Sequence, residues 1–253
     1  MFQAFLSAIL LIMSFPKFSL GPLAWVALVP ILWRLEQGTS FKHAFVCSYV
    51  LGFCFFLTTW EWLRHVTYFG WIALSILYAI YFGVFGILAN TFLKRVPRFL
   101  LLFVLPSAWV ILEWIRTEVP VWGFGWNLLA YSQSSHLAVT NLARWAGAYG
   151  VSWFLVLANV GILFLCRFVI RRTKSDLWPA LVSLLIVGLV PTLSSRDLAA
   201  ENGSFEGGNP WRVAIIQGNI PQAEKWDEKN RSFILETHEK LSRLVSFDEK
   251  PDL

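Results

Sequence analysis

The chain has 253 residues, 57% of them hydrophobic and 15% charged, against about 45–50% and about 25% in ordinary soluble domains. That composition excludes a soluble globular domain as the whole of the protein and points to lipid. The formal net charge of +5 does not argue for nucleic acid: residues 1–195 hold 13 Lys and Arg against 5 Asp and Glu, residues 196–253 hold 8 against 11, and the basic excess falls in loops between apolar runs.

Uncharged runs cover residues 1–16, 18–33, 44–60, 66–93, 99–112, 145–166 and 177–195. A membrane-crossing helix needs roughly 20 mostly apolar residues, with a working range of about 17–25, so these runs predict an all-α polytopic bundle of about seven transmembrane helices. The first two and the fifth are short. The first pair reads as a tight hairpin through Pro16, and the fifth as a helix bent at Pro106 that ends near the interface at Glu113. No basic stretch precedes the first run, no small-residue cleavage motif follows it, and Pro16-Lys17 closes it, which describes a retained helix rather than a signal peptide.

Basic residues set the expected orientation. With the N-terminus inside, inner loops hold Arg34, Lys42, Lys94, Arg95, Arg98, Arg167, Arg171, Arg172 and Lys174, and outer ones hold Lys17, Arg64, Arg116 and Arg144. The excess of inner cations fits the positive-inside rule and places residues 196–253 outside after seven crossings.

Between the fifth and sixth runs lies EWIRTEVPVWGFGWNLLAYSQ, Glu113 to Gln133, too polar and too broken by Gly and Pro to cross a bilayer. Its Trp114, Trp122, Trp126 and Tyr131 are amphipathic aromatics suited to the headgroup level, so an outer-face interfacial segment is expected. Glu113, Arg116 and Glu118 admit two readings, a polar site within reach of lipid headgroups or a helix-end salt-bridge cluster.

Composition changes after ENGSFEGGNP, Glu201 to Pro210, which has the character of a linker. Val213 to Ile216 form a short apolar run expected to be a strand buried on both faces, broken by Gly218 and Pro221. From Asp227, the residues Ile234, Leu241, Leu244 and Val245 recur at helical spacing, with Asp227 and Glu228 in the first turn, predicting a helix to about Val245. The closing Pro251-Asp252-Leu253 reads as the lead into a second strand. One strand with one helix leaves edges unpaired, so residues 212–253 are expected to be an incomplete domain, after a bundle at 1–195 and an extracytoplasmic linker at 196–211.

Local chemistry signatures are absent: the sequence contains no H-E-x-x-H, no G-x-S-x-G and no Walker loop. Cys47, Cys54 and Cys166 lie in apolar stretches without His or carboxylate at ligand spacing and read as small buried hydrophobes, with no disulfide framework. His43, His65, His136 and His238 are scattered, as loop or interface histidines are. No cofactor and no metal site is expected.

Five stretches, in order, resemble the N-terminal half of the apolipoprotein N-acyltransferases: SFPKF at 14–18, PLAWVALVPIL at 22–32, the Glu113 to Gln133 segment, GAYGVSWFLVLAN at 147–159, and RVAIIQGNIPQAEKWDEKN at 212–230. Gly125 stands where that family usually has proline, and Ala130 where glycine is usual. The resemblance implies a membrane bundle carrying an extracytoplasmic nitrilase-like domain, an α-β-β-α sandwich of which residues 212–253 are the truncated start, in the bacterial inner membrane. It implies transfer of an acyl group from a phospholipid donor to the N-terminal amine of a diacylglyceryl-prolipoprotein through a cysteine thioester, with a Glu-Lys-Cys triad. None of those three residues is matched here; the family's glutamate follows a few residues after the Pro-Asp-Leu motif, so this chain alone is expected to be inactive. The resemblance also places Trp226 on the substrate side, whereas the residues alone fit a hydrophobic staple at the helix entry equally well. The competing class is a transporter or scaffold with a short outer tail, against which stands the absence of charge in residues 66–93 and 145–166.

Overall fold

The computed structural model describes residues 1–120, 123–202, 211–248 and 252. Its helices are α1 (Phe2–Ser14), α2 (Val29–Glu36), α3 (Phe41–Thr59), α4 (Tyr68–Arg95), α5 (Arg98–Glu118), α6 (Leu137–Thr140), α7 (Ala143–Arg171), α8 (Leu177–Asn202), α9 (Gln222–Lys225) and α10 (Arg231–Asp248), joined by short 3-10 turns. Among the described residues, α3, α4, α5 and α7 are long and apolar enough to cross a membrane, and there is no strand. The chain is a helical membrane protein.

The helix starts are written locally. Ser40 caps α3 by accepting the His43 N–H, and Thr67 caps α4 by accepting the Gly70 N–H at 3.1 Å. Lys94 and Arg95 occupy the last turn of α4, where cations offset the negative end of the helix dipole. α3 and α4 pack closely because Gly86 faces Ser48: a Cβ at position 86 would lie 2.2 Å from the Ser48 hydroxyl oxygen and 2.7 Å from the Ala44 carbonyl. Small residues of this kind let membrane helices approach backbone to backbone.

The run at 18–33 departs from the expected helix. It is a 3-10 turn at Gly21–Trp25, further turns, and only then the eight-residue α2. Prolines 22 and 30 explain the break, since each removes a donor from the ladder. The orphaned backbone groups are satisfied from elsewhere in the bundle. Asn159 of α7 accepts the Leu28 N–H at 2.8 Å and donates to the Ala24 carbonyl at 2.9 Å. Gln133 donates to the Gly21 carbonyl at 2.8 Å and accepts from the Trp25 indole at 3.1 Å. Irregular backbone at membrane depth requires this kind of protein partner.

Two further expectations are corrected. α5 runs through Pro106 and past Glu113 to Glu118, because Glu113 and Arg116 are buried against protein instead of marking the water boundary. The segment after it does not lie wholly along an outer face: Leu128, Leu129, Ser132 and Gln133 are buried, while Trp114, Trp126 and Tyr131 stay exposed. Trp122 lies outside the described residues. Gly147, at φ 62°, breaks the first turn of α7 in a conformation that a side chain disfavours.

Ion pairs mark the two ends of the bundle. At one, Lys17 and Arg64 both bind Glu61. At the other, Asp176 is fully buried between Arg98 and Arg167, while Glu36 binds Arg167 at 2.8 Å and Arg171 at 2.9 Å. Since Lys17 stands at the first end and Glu36 at the second, the broken segment traverses the bundle despite its irregular backbone.

α8 contains the seventh uncharged run and continues to Asn202, across the expected boundary at 195. Beyond it, Val213 to Ile216 have no ladder partner and are not a strand, as expected of extended chain without a neighbouring strand to bond. The helix expected from Asp227 is a 3-10 turn at Glu228–Asn230 followed by α10, which begins at Arg231 and ends at Asp248, while the short α9 precedes it.

Candidate functional site

Glu113 and Arg116 sit one turn apart on α5, only 6% and 3% exposed. Each is anchored to the backbone of the segment that follows. Glu113 Oε1 accepts the Leu129 N–H at 2.8 Å. Arg116 donates to the carbonyls of Phe124 at 3.1 Å, Trp126 at 2.7 Å and Asn127 at 3.3 Å, and its guanidinium lies 5.4 Å from the centre of the Phe56 ring. Five fixed donors on a planar fork suit one side chain to several carbonyls at once. Ser152 and Trp109 stand close to the Glu113 carboxylate, and the Ser152 hydroxyl accepts the Ala130 N–H at 3.1 Å. The pair is therefore a loop clamp, where the sequence left open a headgroup site or a salt-bridge cluster. Glu118, at the helix end, accepts from the Tyr149 hydroxyl at 2.9 Å.

What the clamp positions is aromatic. Phe124 enters the bundle and meets Trp60 edge-on at 4.8 Å, and Trp60 stacks on Phe56 at 4.2 Å. Trp126 is left outside, 5.2 Å from Trp62.

Trp62 and Trp126 form one wall of a groove of about 880 Å³ at the Glu61 end, which Phe18, Trp71, Lys17 and Arg64 also line. Its carboxylate, Glu61, accepts from Lys17 through one oxygen and from Arg64 through the other at 3.0 Å. The hydrogen bond from Lys17, then the charge of Arg64, holds the Glu61 carboxyl below the usual carboxylate range. A small cavity of about 30 Å³ lined by Phe55, Phe82, Trp109, Glu113 and Arg116 has Phe15 and Asn127 in common with this groove. Aromatic walls with cations at the mouth and apolar rings behind suit a ligand that is charged at one end and greasy at the other.

Residues 7–161, which carry the broken segment, the clamp and α7 to just past Asn159, match the family described as apolipoprotein N-acyltransferase N-terminal domain. The chain belongs to the apolipoprotein N-acyltransferase family. It is 33% identical over 251 residues to the apolipoprotein N-acyltransferase of Geobacter metallireducens, covering 95% of this chain and 47% of the relative. Similarity to the protein of the same name from Chlorobaculum tepidum is 31% over 249 residues, 97% of this chain and 45% of that one. The Methylococcus capsulatus protein is 27% identical over 256 residues, 96% and 48%. The chain thus spans about half the length of the curated relatives it matches.

Three of the stretches that resemble the family meet in space through Asn159 and Gln133, which neither periodicity nor spacing singled out. Their signal was present in retrospect: a buried amide in an otherwise apolar helix, and a second one at the end of the Tyr-Ser-Gln run. Lys17, Glu61 and Arg64 were legible only as loop charges, since 44 residues separate Lys17 from Glu61.

Trp226 follows α9 and is 79% exposed in this chain. The groove brings together Lys17, Trp62 and Trp126 but not Trp226. Cys47 is buried in α3, and Cys54 and Cys166 are half-buried in α3 and α7. His65 lines the groove; His238 Nδ1 lies 2.9 Å from the Ile234 carbonyl within α10. Among the described residues, no group of three His, Cys, Asp or Glu is placed to hold a metal ion.

Proposed function

We propose that this chain is the membrane bundle and the opening of the nitrilase-like domain of an apolipoprotein N-acyltransferase, acting in the bacterial inner membrane. It crosses seven times, counting α1, the broken segment and α8, so that the Glu61 end and residues 196–253 face the periplasm. The donor is a phospholipid and the acceptor is the free α-amine of an S-diacylglyceryl-cysteine at a lipoprotein's N-terminus. Family membership supports the activity, and the observation that carries the site is the groove: cations and tryptophans line it together, with Phe15 and Asn127 between it and the aromatic interior.

In the proposed chemistry a cysteine thiolate of the nitrilase-like domain attacks the ester carbonyl of the phospholipid. The carbon–oxygen bond breaks, a glutamic acid protonates the departing lysophospholipid oxygen, and a lysine stabilises the tetrahedral oxyanion. The α-amine then attacks the thioester, giving its proton to the glutamate, and the amide forms as the thiolate leaves. Cys47, Cys54 and Cys166 are not that nucleophile, because they lie within α3 and α7 in apolar surroundings where a thiolate is disfavoured.

The test is complementation. The complete reading frame containing this chain, expressed in a bacterium depleted of its own enzyme, should restore the mass of one acyl chain to lipoprotein N-termini, with Cys47, Cys54 and Cys166 all replaced by alanine. Persistently free α-amines despite normal accumulation of the protein in the membrane would refute the acyltransferase reading.

A further inference from the structure

One oxygen of Glu113, Oε1, accepts the Leu129 N–H, but the other, Oε2, is buried without a hydrogen-bond partner among the described residues. The indole nitrogen of Trp109, one turn earlier on α5, is buried and unpartnered as well: it stands near the carboxylate, yet outside hydrogen-bond geometry. Both residues line the same small cavity. So does Arg116, whose three bonds to backbone carbonyls leave two of its five donors over. The rest of the wall is mostly apolar, with Leu11, Phe55, Phe82 and Phe85. Within a membrane-crossing helix no bulk water repairs such a deficit, and a buried polar group left unpaired is costly.

The chemistry of the cavity selects its occupant. A metal cation would face the Arg116 guanidinium, and a hydrocarbon end would leave both Oε2 and the indole N–H unpaired. Water alone offers donors to the carboxylate and acceptors to the indole and the guanidinium. The cavity's volume of about 30 Å³, against the roughly 10–15 Å³ that one buried water requires, admits two. We propose that two ordered water molecules bind here and complete the Glu113–Arg116 clamp. One accepts from the Trp109 indole and donates to Oε2; the other accepts from Arg116 and donates to the second lone pair of Oε2. Bonded also to each other, they have about three polar partners apiece, the usual number for a buried water. Trp109 in turn meets Phe82 and Phe85 of α4 edge-on at 5.2 and 4.9 Å, so the waters join the clamp on α5 to the aromatic wall of α4.

The test is X-ray radiolysis of the purified chain in detergent micelles, with oxidation of each tryptophan read by mass spectrometry, since hydroxyl radicals formed from a bound water mark the side chains it touches. Trp60 is the internal control: its indole nitrogen is likewise buried and unpartnered, but it does not line the cavity. Trp109 should be oxidised several-fold faster than Trp60. In Glu113→Leu its rate should fall to that of Trp60, whereas Glu113→Gln, which keeps an acceptor for Leu129 and a polar group for water, should retain it. Equal rates for Trp109 and Trp60 in the unmodified chain would mean a dry cavity and overturn the proposal. So would undiminished oxidation of Trp109 in Glu113→Leu while Trp60 stays protected. Should Glu113→Leu fail to fold, Trp60 is oxidised too, and the decision passes to Glu113→Gln, where protection of Trp109 overturns the waters. Because the readout needs no substrate, its outcome is independent of acyl transfer.

Discussion

Asn159, in the middle of α7, accepts the backbone N–H of Leu28 at 2.8 Å across 131 residues of sequence. The same amide donates to the Ala24 and Leu155 carbonyls, so one side chain completes the hydrogen bonding of a helix that prolines forbid. Asn159→Leu keeps the volume and removes all three bonds, leaving the Leu28 N–H and the Ala24 carbonyl buried without partners. Each such group costs about 1–3 kcal/mol, and measured membrane-protein hydrogen bonds lie at the low end. The expected loss is about 2–4 kcal/mol, read as a lower denaturation midpoint in mixed micelles. A midpoint unchanged within error would mean the broken segment is held by other contacts.

Arg116 reaches three carbonyls because its donors diverge from a planar fork. Arg116→Lys keeps the charge but has only a single ammonium to place among Phe124, Trp126 and Asn127. Charge-assisted hydrogen bonds contribute about 1.5–3 kcal/mol each, so losing the fork should loosen the segment locally. Amide exchange at Phe124, whose N–H bonds the Arg116 carbonyl at 2.9 Å, should accelerate at least about tenfold while amides of α3 stay protected. Uniform acceleration throughout the bundle would instead indicate global destabilisation.

At the opposite end Asp176 is buried between Arg98 and Arg167. Removing one member of a buried pair strands the others and costs about 3–5 kcal/mol. Asp176→Asn should therefore destabilise, with Arg167 still held by Glu36 at 2.8 Å, and adding Arg98→Met should recover part of the loss, since it removes the cation that has lost its carboxylate. If the double variant is no better than the single one, the penalty comes from Asp176 holding the 3-10 turn rather than from stranded charge.

The sequence exposes the bundle because lipid demands long uncharged runs, and α3, α4, α5 and α7 fall where those runs lie. It misreads residues 18–33, since hydropathy counts apolar side chains and is blind to whether Pro22 and Pro30 leave backbone groups unpaired. The partners that make the break tolerable, Asn159 and Gln133, lie more than 100 residues away in sequence. Glu113 and Arg116 were legible as a polar pair, but their burial was not, because that depends on a loop folding back over them. Val213 to Ile216 carry strand composition, yet a strand exists only with a neighbour to bond. In the Lys17–Glu61–Arg64 cluster only the Glu61–Arg64 pair is local, three residues apart in one turn, whereas Lys17 arrives from 44 residues away.

The proposed orientation predicts opposite accessibility for two exposed serines. Ser175 follows Lys174 at the Asp176 end, and Ser135 lies just past Gln133 towards the Glu61 end. With Cys47, Cys54 and Cys166 replaced by alanine, a single cysteine at 135 should react with an impermeant maleimide on intact spheroplasts, and one at 175 only after lysis. The reverse pattern would invert the bundle and remove the groove from the periplasmic side.

Trp226 separates a substrate-side role from a packing role. In this structure its ring is 79% exposed after α9, so truncation removes little buried area, and surface changes of that kind usually alter stability by less than about 0.5 kcal/mol. An indole at the entrance of the nitrilase-like domain offers an apolar face for an acyl chain and one N–H for a carbonyl or headgroup oxygen. Trp226→Ala, made in the complete reading frame that contains this chain, should lower kcat/KM for acyl transfer by about tenfold or more, the equivalent of one good contact in the transition state. Trp226→Phe keeps the apolar face without the donor, so partial recovery assigns the effect to chain contact and no recovery assigns it to the N–H. Both variants should keep the unmodified melting temperature within the scatter of repeated scans. A clear fall in melting temperature with normal activity per folded molecule would return Trp226 to a packing role and remove it from the substrate side.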